Sequence, residues 1–157
     1  METAIFGGGC FWCTEAVFTM LKGVYSVVPG YVKGIEVVKV GFNPKEISYS
    51  NLLTVFFATH DPTSFDRQGA DVGSQYRSIV FYVSDSQKKE AERYIKELKT
   101  EKPIVTVLEP FEKFTEAEEF HKKFYEKDPS QPYCQLVIEP KIQKVKERFA
   151  SLLASQK

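Results

Sequence analysis

The hydrophobic positions along the chain alternate between short β-branched runs and segments with helical spacing. Strands are predicted where apolar runs end at glycine or Asn-Pro turns, and helices where apolar residues recur every three or four positions. The first six predicted elements are Thr3–Phe6 (strand), Phe11–Leu21 (helix), Val24–Val32 and Ile35–Phe42 (strands), a helix capped by Ser48 or Ser50 that carries Leu52, Leu53, Phe56 and Phe57, and Ser78–Val83 (strand). This β-α-β-β-α-β order is the split βαβ order of ferredoxin-like folds, with helices on one face of an antiparallel or mixed sheet. We therefore predict an α+β fold.

The second half of the chain adds further elements to this unit. They are a helix at Asp85–Lys99, a strand at Ile104–Leu108, a helix behind a capping box of Thr115 and Glu118, a loop at Lys127–Tyr133, and a last helix from about Pro140. No repeat or linker divides the sequence, so residues 1–157 are predicted to form a single domain. Its C-terminal extension is predicted to be irregular and to end in a helix.

Composition narrows the classes of partner. The 157 residues carry 21 basic and 21 acidic side chains, and this zero net charge argues against nucleic acid as the main partner. No apolar run approaches the ~18 residues that a membrane helix requires, and the N-terminus lacks the pattern of a signal peptide. Three cysteines are too few, and odd in number, for a secreted disulfide framework. We expect a cytoplasmic monomer.

The segment from Gly7 to Glu15, with the sequence GGGCFWCTE, carries the main candidate chemistry. It lies where the first predicted strand ends and the first helix begins, which puts Cys10 at the helix N-cap. Backbone N–H groups and the helix dipole stabilise negative charge there, so the pKa of Cys10 is expected to fall. The glycines are expected to leave the sulfur accessible. Cys10 is therefore predicted to be a reactive nucleophile.

Other readings of this segment stay open. Cys10 could be a small core residue, and the glycines could hold a phosphate, although the Lys-Ser/Thr of a P-loop is absent. The spacing of Cys10 and Cys13 is that of a C-x-x-C redox motif and could also supply two zinc ligands. The residues that could complete a zinc site are His60, His121 and Cys134. No second C-x-x-C or H-x-x-x-H pair follows, so zinc is the weaker alternative.

Three further features are candidates for the site. Phe11 and Trp12 could wall an apolar pocket beside the nucleophile, or simply join the core. Glu36 opens an otherwise apolar strand, so it is either a solvated edge residue or a carboxyl with a raised pKa that donates a proton. The stretch from His60 to Ser78 is dense in Arg, Gln, Asp, Gly and Tyr, and a loop of this length inside a domain is usually functional.

Several blocks of the sequence resemble the A-type peptide methionine sulfoxide reductases. The matching blocks are Gly9-Cys10-Phe11-Trp12 with Glu15, Gly30-Tyr31, Tyr49 to Leu53, His60-Asp61-Pro62, Arg67-Gln68-Gly69, Asp71-x-Gly73-x-Gln75-Tyr76-Arg77-Ser78, Ala117-Glu118 with His121, and Tyr133-Cys134. They follow the family's order and span nearly the whole chain. The GCFW block and the RQG…D.G.QYRS block are each specific to the family.

This resemblance implies reduction of the S epimer of methionine sulfoxide, free or in proteins, without a bound cofactor or metal. The family's roles match Cys10 as nucleophile, Glu36 as the carboxyl that activates the sulfoxide, Phe11 and Trp12 as pocket aromatics, and Asp71 and Tyr76 as polar pocket residues. The Cys10 thiolate would become a sulfenic acid, which a second thiol converts to a disulfide. Thioredoxin or dithiothreitol would then reduce this disulfide by thiol exchange. A thiol–disulfide exchange protein that uses Cys10 and Cys13 is the alternative, and a module that only binds oxidised methionine is a third class.

The sequence departs from the family pattern in two places. The segment between Gly30-Tyr31 and Lys33-Gly34-Ile35-Glu36 is shortened, and the family's second pocket tyrosine has no clear match, with Tyr31 as a possible substitute. Cys13 stands where the family often has glycine, so two thiols could resolve Cys10. The resemblance favours Cys134 because family members often carry the resolving thiol in the C-terminal segment; Cys13 is the alternative.

Overall fold

The chain forms a six-stranded sheet and a separate two-stranded hairpin. The computed structural model describes residues 1–154, apart from the side chain of Phe120. The strands are β1 (Glu2–Gly7), β2 (Val24–Val32), β3 (Ile35–Phe42), β4 (Arg67–Gln68), β5 (Asp71–Val72), β6 (Ile79–Tyr82), β7 (Val107–Pro110) and β8 (Thr115–Glu116). The helices are α1 (Phe11–Thr19), α2 (Tyr49–Ala58), α3 (Asp85–Glu97), α4 (Phe124–Lys127) and α5 (Glu139–Arg148). Short 3-10 turns lie at Ser74–Tyr76, Glu119–His121 and Ala150–Leu152, and a π-helical turn lies at Cys134–Ile138. The end of the domain predicted for residues 1–157 lies outside the described residues.

The sheet has the strand order β7-β6-β1-β3-β2-β8. Strand β1 pairs antiparallel with both β3 and β6, and β2 pairs antiparallel with β3. The order β6-β1-β3-β2 is therefore the predicted split βαβ unit, and the α+β class is confirmed. Strand β7 extends the sheet in parallel with β6, while β8 adds an antiparallel strand beside β2, so the complete sheet is mixed.

The local signals for the β2–β3 hairpin and for α2 are confirmed. Lys33 and Gly34 join the two strands with φ values of 53° and 78°, as a two-residue hairpin loop requires. The Ser48 hydroxyl accepts a hydrogen bond from the Asn51 N–H at 3.0 Å and so caps α2. These two features fix the position of Glu36 near the start of β3.

The capping box predicted for Thr115 and Glu118 is wrong. Thr115 and Glu116 form β8, which pairs with Gly30 and Tyr31 of β2. A Cβ atom at Gly30 would lie 2.5 Å from the Thr115 carbonyl oxygen, so the glycine allows this close approach. Tertiary pairing at an open sheet edge thus overrides a local helix-start signal, and the predicted long helix is replaced by the Glu119–His121 turn and α4.

Both faces of the central strands are buried. Phe6 of β1 faces the helices and stacks on Phe18 of α1 and Phe56 of α2, with ring centroids 5.1 and 4.9 Å apart. Ile5, its neighbour, points to the opposite face and joins a second cluster with Phe81. Because β1 is held on both faces, its carboxyl end is a fixed platform for the segment that follows. Within residues 1–154, no helix has the length and apolar character needed to cross a membrane.

Candidate active site

Cys10 is the N-cap residue of α1, directly after the glycines that end β1, as predicted. The glycines serve close packing rather than access to the sulfur. A Cβ atom at Gly8 would lie 2.9 Å from the His60 ring, and Gly9 has a φ of 90° and lies against the Gln68 side chain. The Gly9 N–H also donates to the Tyr76 carbonyl oxygen at 3.2 Å. The loop predicted at His60–Ser78 is thereby held against the segment that leads into Cys10.

Replacing Gly9 by alanine is expected to lower the free energy of unfolding more than the same change at Gly34. Both glycines have positive φ values, but a Cβ at Gly34 meets no atom within 4 Å whereas one at Gly9 lies 3.0 Å from Gln68. Gly34→Ala should cost about 1–2 kcal/mol from backbone strain alone, and Gly9→Ala at least about 1 kcal/mol more from overpacking. Denaturant unfolding of the two variants measures the difference; equal losses would contradict the proposed contact.

The structure does not bear out a lowered pKa at Cys10. Its side chain is only 8% exposed, and burial raises the pKa of the thiol well above its usual range, while a hydrogen bond from the Trp12 backbone lowers it only in part. The negative charges of Cys13 and Glu36 raise it further. Desolvation therefore exceeds the helix N-terminal effect on which the sequence-based expectation rested. Burial thus favours the thiol form of Cys10 over the thiolate.

Glu36 is a buried carboxyl beside Cys10 and not a solvated edge residue. Its Oε1 accepts a hydrogen bond from the Phe11 N–H at 3.2 Å, and its Oε2 accepts one from Gln75 Nε2 at 3.0 Å. Because Phe11 directly follows Cys10, this carboxyl lies at the segment that carries the thiol. Burial raises the pKa of Glu36 despite these hydrogen bonds. Gln75 was not predicted as a site residue, although it stands next to Tyr76 in the QYRS block.

Two tyrosines flank this carboxyl. Tyr76 ends the turn at Ser74–Tyr76, and burial together with the charges of Glu36, Asp71 and Cys10 raises the pKa of its phenol. Tyr31 of β2 lies directly opposite Glu36 in the β2–β3 register. Burial and the nearby Glu36 charge raise the pKa of Tyr31 as well. The shortened hairpin thus places Tyr31, the possible substitute for the family's second pocket tyrosine, next to the carboxyl.

The aromatic residues that follow Cys10 differ in their packing. Phe11 is 2% exposed, and its ring lies 5.4 Å from those of Tyr31 and His121. Trp12 is half-buried and stacks on Phe124 of α4 with centroids 3.9 Å apart. Phe11 therefore belongs to the core as well as to the wall of the site, and Trp12 forms the boundary between the site and the C-terminal segment.

Asp71, at the start of β5, connects the site to the C-terminal segment. Its Oδ2 accepts a hydrogen bond from the Tyr133 hydroxyl at 2.9 Å. The same hydroxyl lies 3.5 Å from the Cys13 sulfur and also hydrogen-bonds the Cys10 thiol. Tyr133 was missed as a site residue, although the sequence places it next to Cys134.

The three cysteines are free and buried. Cys13 is 2% exposed and lies one helical turn from Cys10, since its N–H donates to the Cys10 carbonyl oxygen at 3.1 Å. Cys134 is fully buried at the start of the π-helical turn, directly after the loop predicted at Lys127–Tyr133, and its thiol donates to the Asp128 carbonyl oxygen at 3.5 Å. It packs in one cluster with Cys13, whose charge raises the pKa of Cys134. Cys13 thus shares an apolar cluster with Cys134, whereas Cys10 belongs to the main core cluster.

The residues weighed as zinc ligands do not assemble into a metal site. His60 uses both ring nitrogens in hydrogen bonds of 2.6 Å, to the Phe56 carbonyl oxygen and to the Ser78 hydroxyl. Burial lowers the pKa of His60 to about 4, so the ring is neutral at physiological pH. Among residues 1–154, no group of three or more His, Cys, Asp or Glu side chains is arranged to hold a metal ion.

An open groove of about 750 Å³ has Cys10 and Cys13 in its lining, together with Asp71 and Tyr133. One wall is formed by the His60–Pro62 and Gln68–Asp71 segments, and the other by Tyr133 and the start of α5. A separate cavity of about 280 Å³ between α1, α4 and α5 contains none of the cysteines in its lining. The groove is therefore the larger approach to Cys10 and Cys13.

A helix-start thiol beside a buried acid and two phenols, with further thiols behind it, defines a thiol-dependent oxidoreductase of α+β fold. The family model of peptide methionine sulfoxide reductase matches residues 2–35 and 33–153. The peptide methionine sulfoxide reductase MsrA of Sulfolobus acidocaldarius is 52% identical over 168 residues, which cover 95% of this chain and 96% of that protein.

Solved structures agree with this assignment. The reduced form of Mxr1 from Saccharomyces cerevisiae superposes with a TM-score of 0.70 at 29% identity, covering 85% of this chain and 88% of that one. Mxr1 in complex with Trx2 gives a TM-score of 0.53 at 28% identity, covering 75% and 81%. The chain belongs to the peptide methionine sulfoxide reductases, of the A type, and its activity is the reduction of methionine sulfoxide.

Proposed function

We propose that this protein reduces the S epimer of methionine sulfoxide through attack by Cys10, with Glu36 as the group that carries the proton. The observation that carries the proposal is the position of the buried Glu36 carboxyl, which Gln75 and the N–H of Phe11, the residue directly after Cys10, hold at the start of α1. A sulfoxide sulfur becomes electrophilic when its oxygen is protonated or strongly hydrogen-bonded. A buried carboxyl with a raised pKa is suited to that role.

The raised pKa of Cys10 fits this arrangement. A protonated Glu36 gives its proton to the sulfoxide oxygen, and the Cys10 proton returns to Glu36 as the sulfur attacks. The Cys10 sulfur bonds to the substrate sulfur while the S–O bond of the protonated sulfoxide breaks and hydroxide leaves. Hydroxide then attacks the Cys10 sulfur, and the new S–S bond breaks with its electron pair going to the substrate sulfur. The products are methionine and the Cys10 sulfenic acid, and protons and electrons balance. Tyr76 and Tyr31 are proposed to donate further hydrogen bonds to the oxygen. Phe11 and Trp12 are proposed to receive the apolar end of the substrate, and Asp71 to hold its polar groups.

We further propose that both remaining cysteines take part in recycling. Cys13 is one turn from Cys10 and attacks the sulfenic acid, which forms the Cys10–Cys13 disulfide and releases water. Cys134, which lies in the same apolar cluster as Cys13, then attacks the Cys13 sulfur, so the disulfide moves to Cys13–Cys134 and the Cys10 thiol is restored. In this sequence of steps Cys13, the alternative, resolves the Cys10 sulfenic acid, and Cys134, which the resemblance favours for that role, acts in the second exchange.

A thioredoxin-like dithiol is proposed as the reductant, supported by the Mxr1–Trx2 complex among the structural relatives. Dithiothreitol should replace it in vitro. We also propose that the protein repairs oxidised proteins and acts as a monomer. A cytoplasmic location is proposed because the chemistry needs three free thiols and thus a reducing compartment.

The proposal is tested by incubating the reduced protein with each epimer of methionine sulfoxide, first without a reductant. We expect methionine from the S epimer only, in amounts stoichiometric with the protein, and continuous turnover once thioredoxin or dithiothreitol is added. Mass spectrometry of the quenched protein should show the Cys13–Cys134 disulfide. A stable Cys10–Cys134 disulfide with Cys13 reduced would contradict the two-step recycling, and insulin reduction without sulfoxide turnover would favour the thiol–disulfide exchange alternative.

A further inference from the structure

Lys141 occupies an unusual position in the wall of the groove. It belongs to the first turn of α5 and lines the 750 Å³ groove together with Cys13, and it lines a small adjoining cavity with Cys13 and His60. Its side chain is half-buried, and it forms no ion pair or hydrogen bond with any residue of 1–154. A partly desolvated ammonium without a counter-ion is unfavourable. It would be stabilised by a group that becomes negative during the reaction.

Cys13 is the group near Lys141 that can acquire this charge. Six titratable groups influence the pKa of Cys13 or have their own pKa influenced by it. They lie at the start of α1, in β3 and β5, in the Tyr133–Ile138 segment and in α5, and are Cys10, Glu36, Asp71, Tyr133, Cys134 and Lys141. Burial raises the pKa of Cys13, and Lys141 is the strongest of the influences that lower it, followed by the Tyr133 hydroxyl. His60 is neutral, and the charges of Asp71 and Glu36 raise the pKa of Cys13. Lys141 is thus the one cation in this set.

We propose that Lys141 is a positioning residue for recycling, whose ammonium group stabilises the Cys13 thiolate as it attacks the Cys10 sulfenic acid. The inference rests on the proposed function. In this step the Cys13–Cys10 S–S bond forms and the S–O bond of the sulfenic acid breaks. The departing hydroxide takes up the proton that Cys13 released and leaves as water. The Cys13 sulfur is oxidised and the Cys10 sulfur is reduced, so no external electron donor is needed.

The test compares Lys141→Met, which keeps the length of the side chain but removes its charge, with Lys144→Met on the same helix. Lys144 also lines the groove but does not number among the groups acting on Cys13. The reduced proteins are mixed with one equivalent of methionine sulfoxide, and methionine release and disulfide formation are followed separately by rapid quench at several pH values. For Lys141→Met we expect unchanged methionine release, disulfide formation slowed about tenfold, and a pH midpoint of that second step raised by about one unit.

Lys141→Arg should restore both the rate and the midpoint, because it restores the charge. In a Cys13→Ser background, Lys141→Met should have no further effect on disulfide formation. The inference is overturned if Lys141→Met leaves the rate and midpoint unchanged, if Lys144→Met slows the step equally, or if the slowing persists without Cys13. Absence of methionine release from the unmodified protein would instead contradict the proposed function, so the two failures can be told apart.

Discussion

Methionine sulfoxide reduction is expected to be lost completely when Cys10 is replaced by serine. The hydroxyl is a far weaker nucleophile toward sulfur and cannot form the sulfenic acid on which every later step depends. The variant should still fold, because Cys10 is a small N-cap residue whose side chain makes no cap hydrogen bond in α1, and serine is a favourable N-cap. Methionine formation measured with dithiothreitol in excess tests this directly.

Cys134→Ser is the matched control for this loss. It removes another buried thiol, at the other end of the proposed thiol sequence, so methionine should appear in the first turnover while steady-state reduction with thioredoxin falls. Substantial turnover by Cys10→Ser, with Cys13 and Cys134 intact, would show that another thiol is the nucleophile. That result would remove the basis of the assigned site.

Glu36→Gln is expected to slow formation of the Cys10 sulfenic acid by about 10²- to 10⁴-fold, the usual contribution of a positioned general acid. Glutamine is nearly isosteric and can keep a hydrogen bond to the substrate oxygen, but it cannot pass on the Cys10 proton. Single-turnover methionine release measures the step without interference from recycling. Glu118→Gln is the control, because Glu118 is exposed yet its charge acts on Tyr31, and it should change the rate little.

The unmodified protein and Glu36→Gln are also expected to differ in the pH dependence of the first step. Burial raises the pKa of Glu36, so the acid form persists to higher pH than for an exposed glutamate. The rate of the first step should fall as the pH rises through that raised pKa, because the proton donor is then ionised. In Glu36→Gln this alkaline decline should disappear and the residual rate should rise with Cys10 ionisation. If the rate declined identically at alkaline pH in the unmodified protein and in Glu36→Gln, the decline would belong to another titrating group.

Local patterns in the sequence were sufficient for most of the fold. The Lys33-Gly34 turn between the two β-branched runs fixes the register of β2 and β3, and the position of Glu36 follows from that hairpin. The split βαβ order is also local information. The extension could not be predicted in the same way, because β8 forms only where Gly30 leaves room for another strand. No helix or turn signal in residues 115–118 contains that information.

In the site, too, local sequence predicts some features, and others depend on packing between distant parts of the chain. The motif position of Cys10 was predictable, but its protonation state was not, since the pKa depends on burial by groups far along the chain. Tyr133 and Lys141 approach Cys13 from the C-terminal segment, more than a hundred residues away in sequence. Their roles depend on where the Cys134–Ile138 turn packs, and no spacing rule reports that.

The contact between Trp12 and Phe124 has a practical consequence. Trp12 is the single tryptophan of the chain, and its indole stacks at 3.9 Å and 8° on a ring of the segment that leads to Cys134. Any redox-linked departure of that segment must alter the surroundings of this one fluorophore. The protein therefore contains an intrinsic optical reporter, and its emission can follow the catalytic cycle in real time without an attached dye.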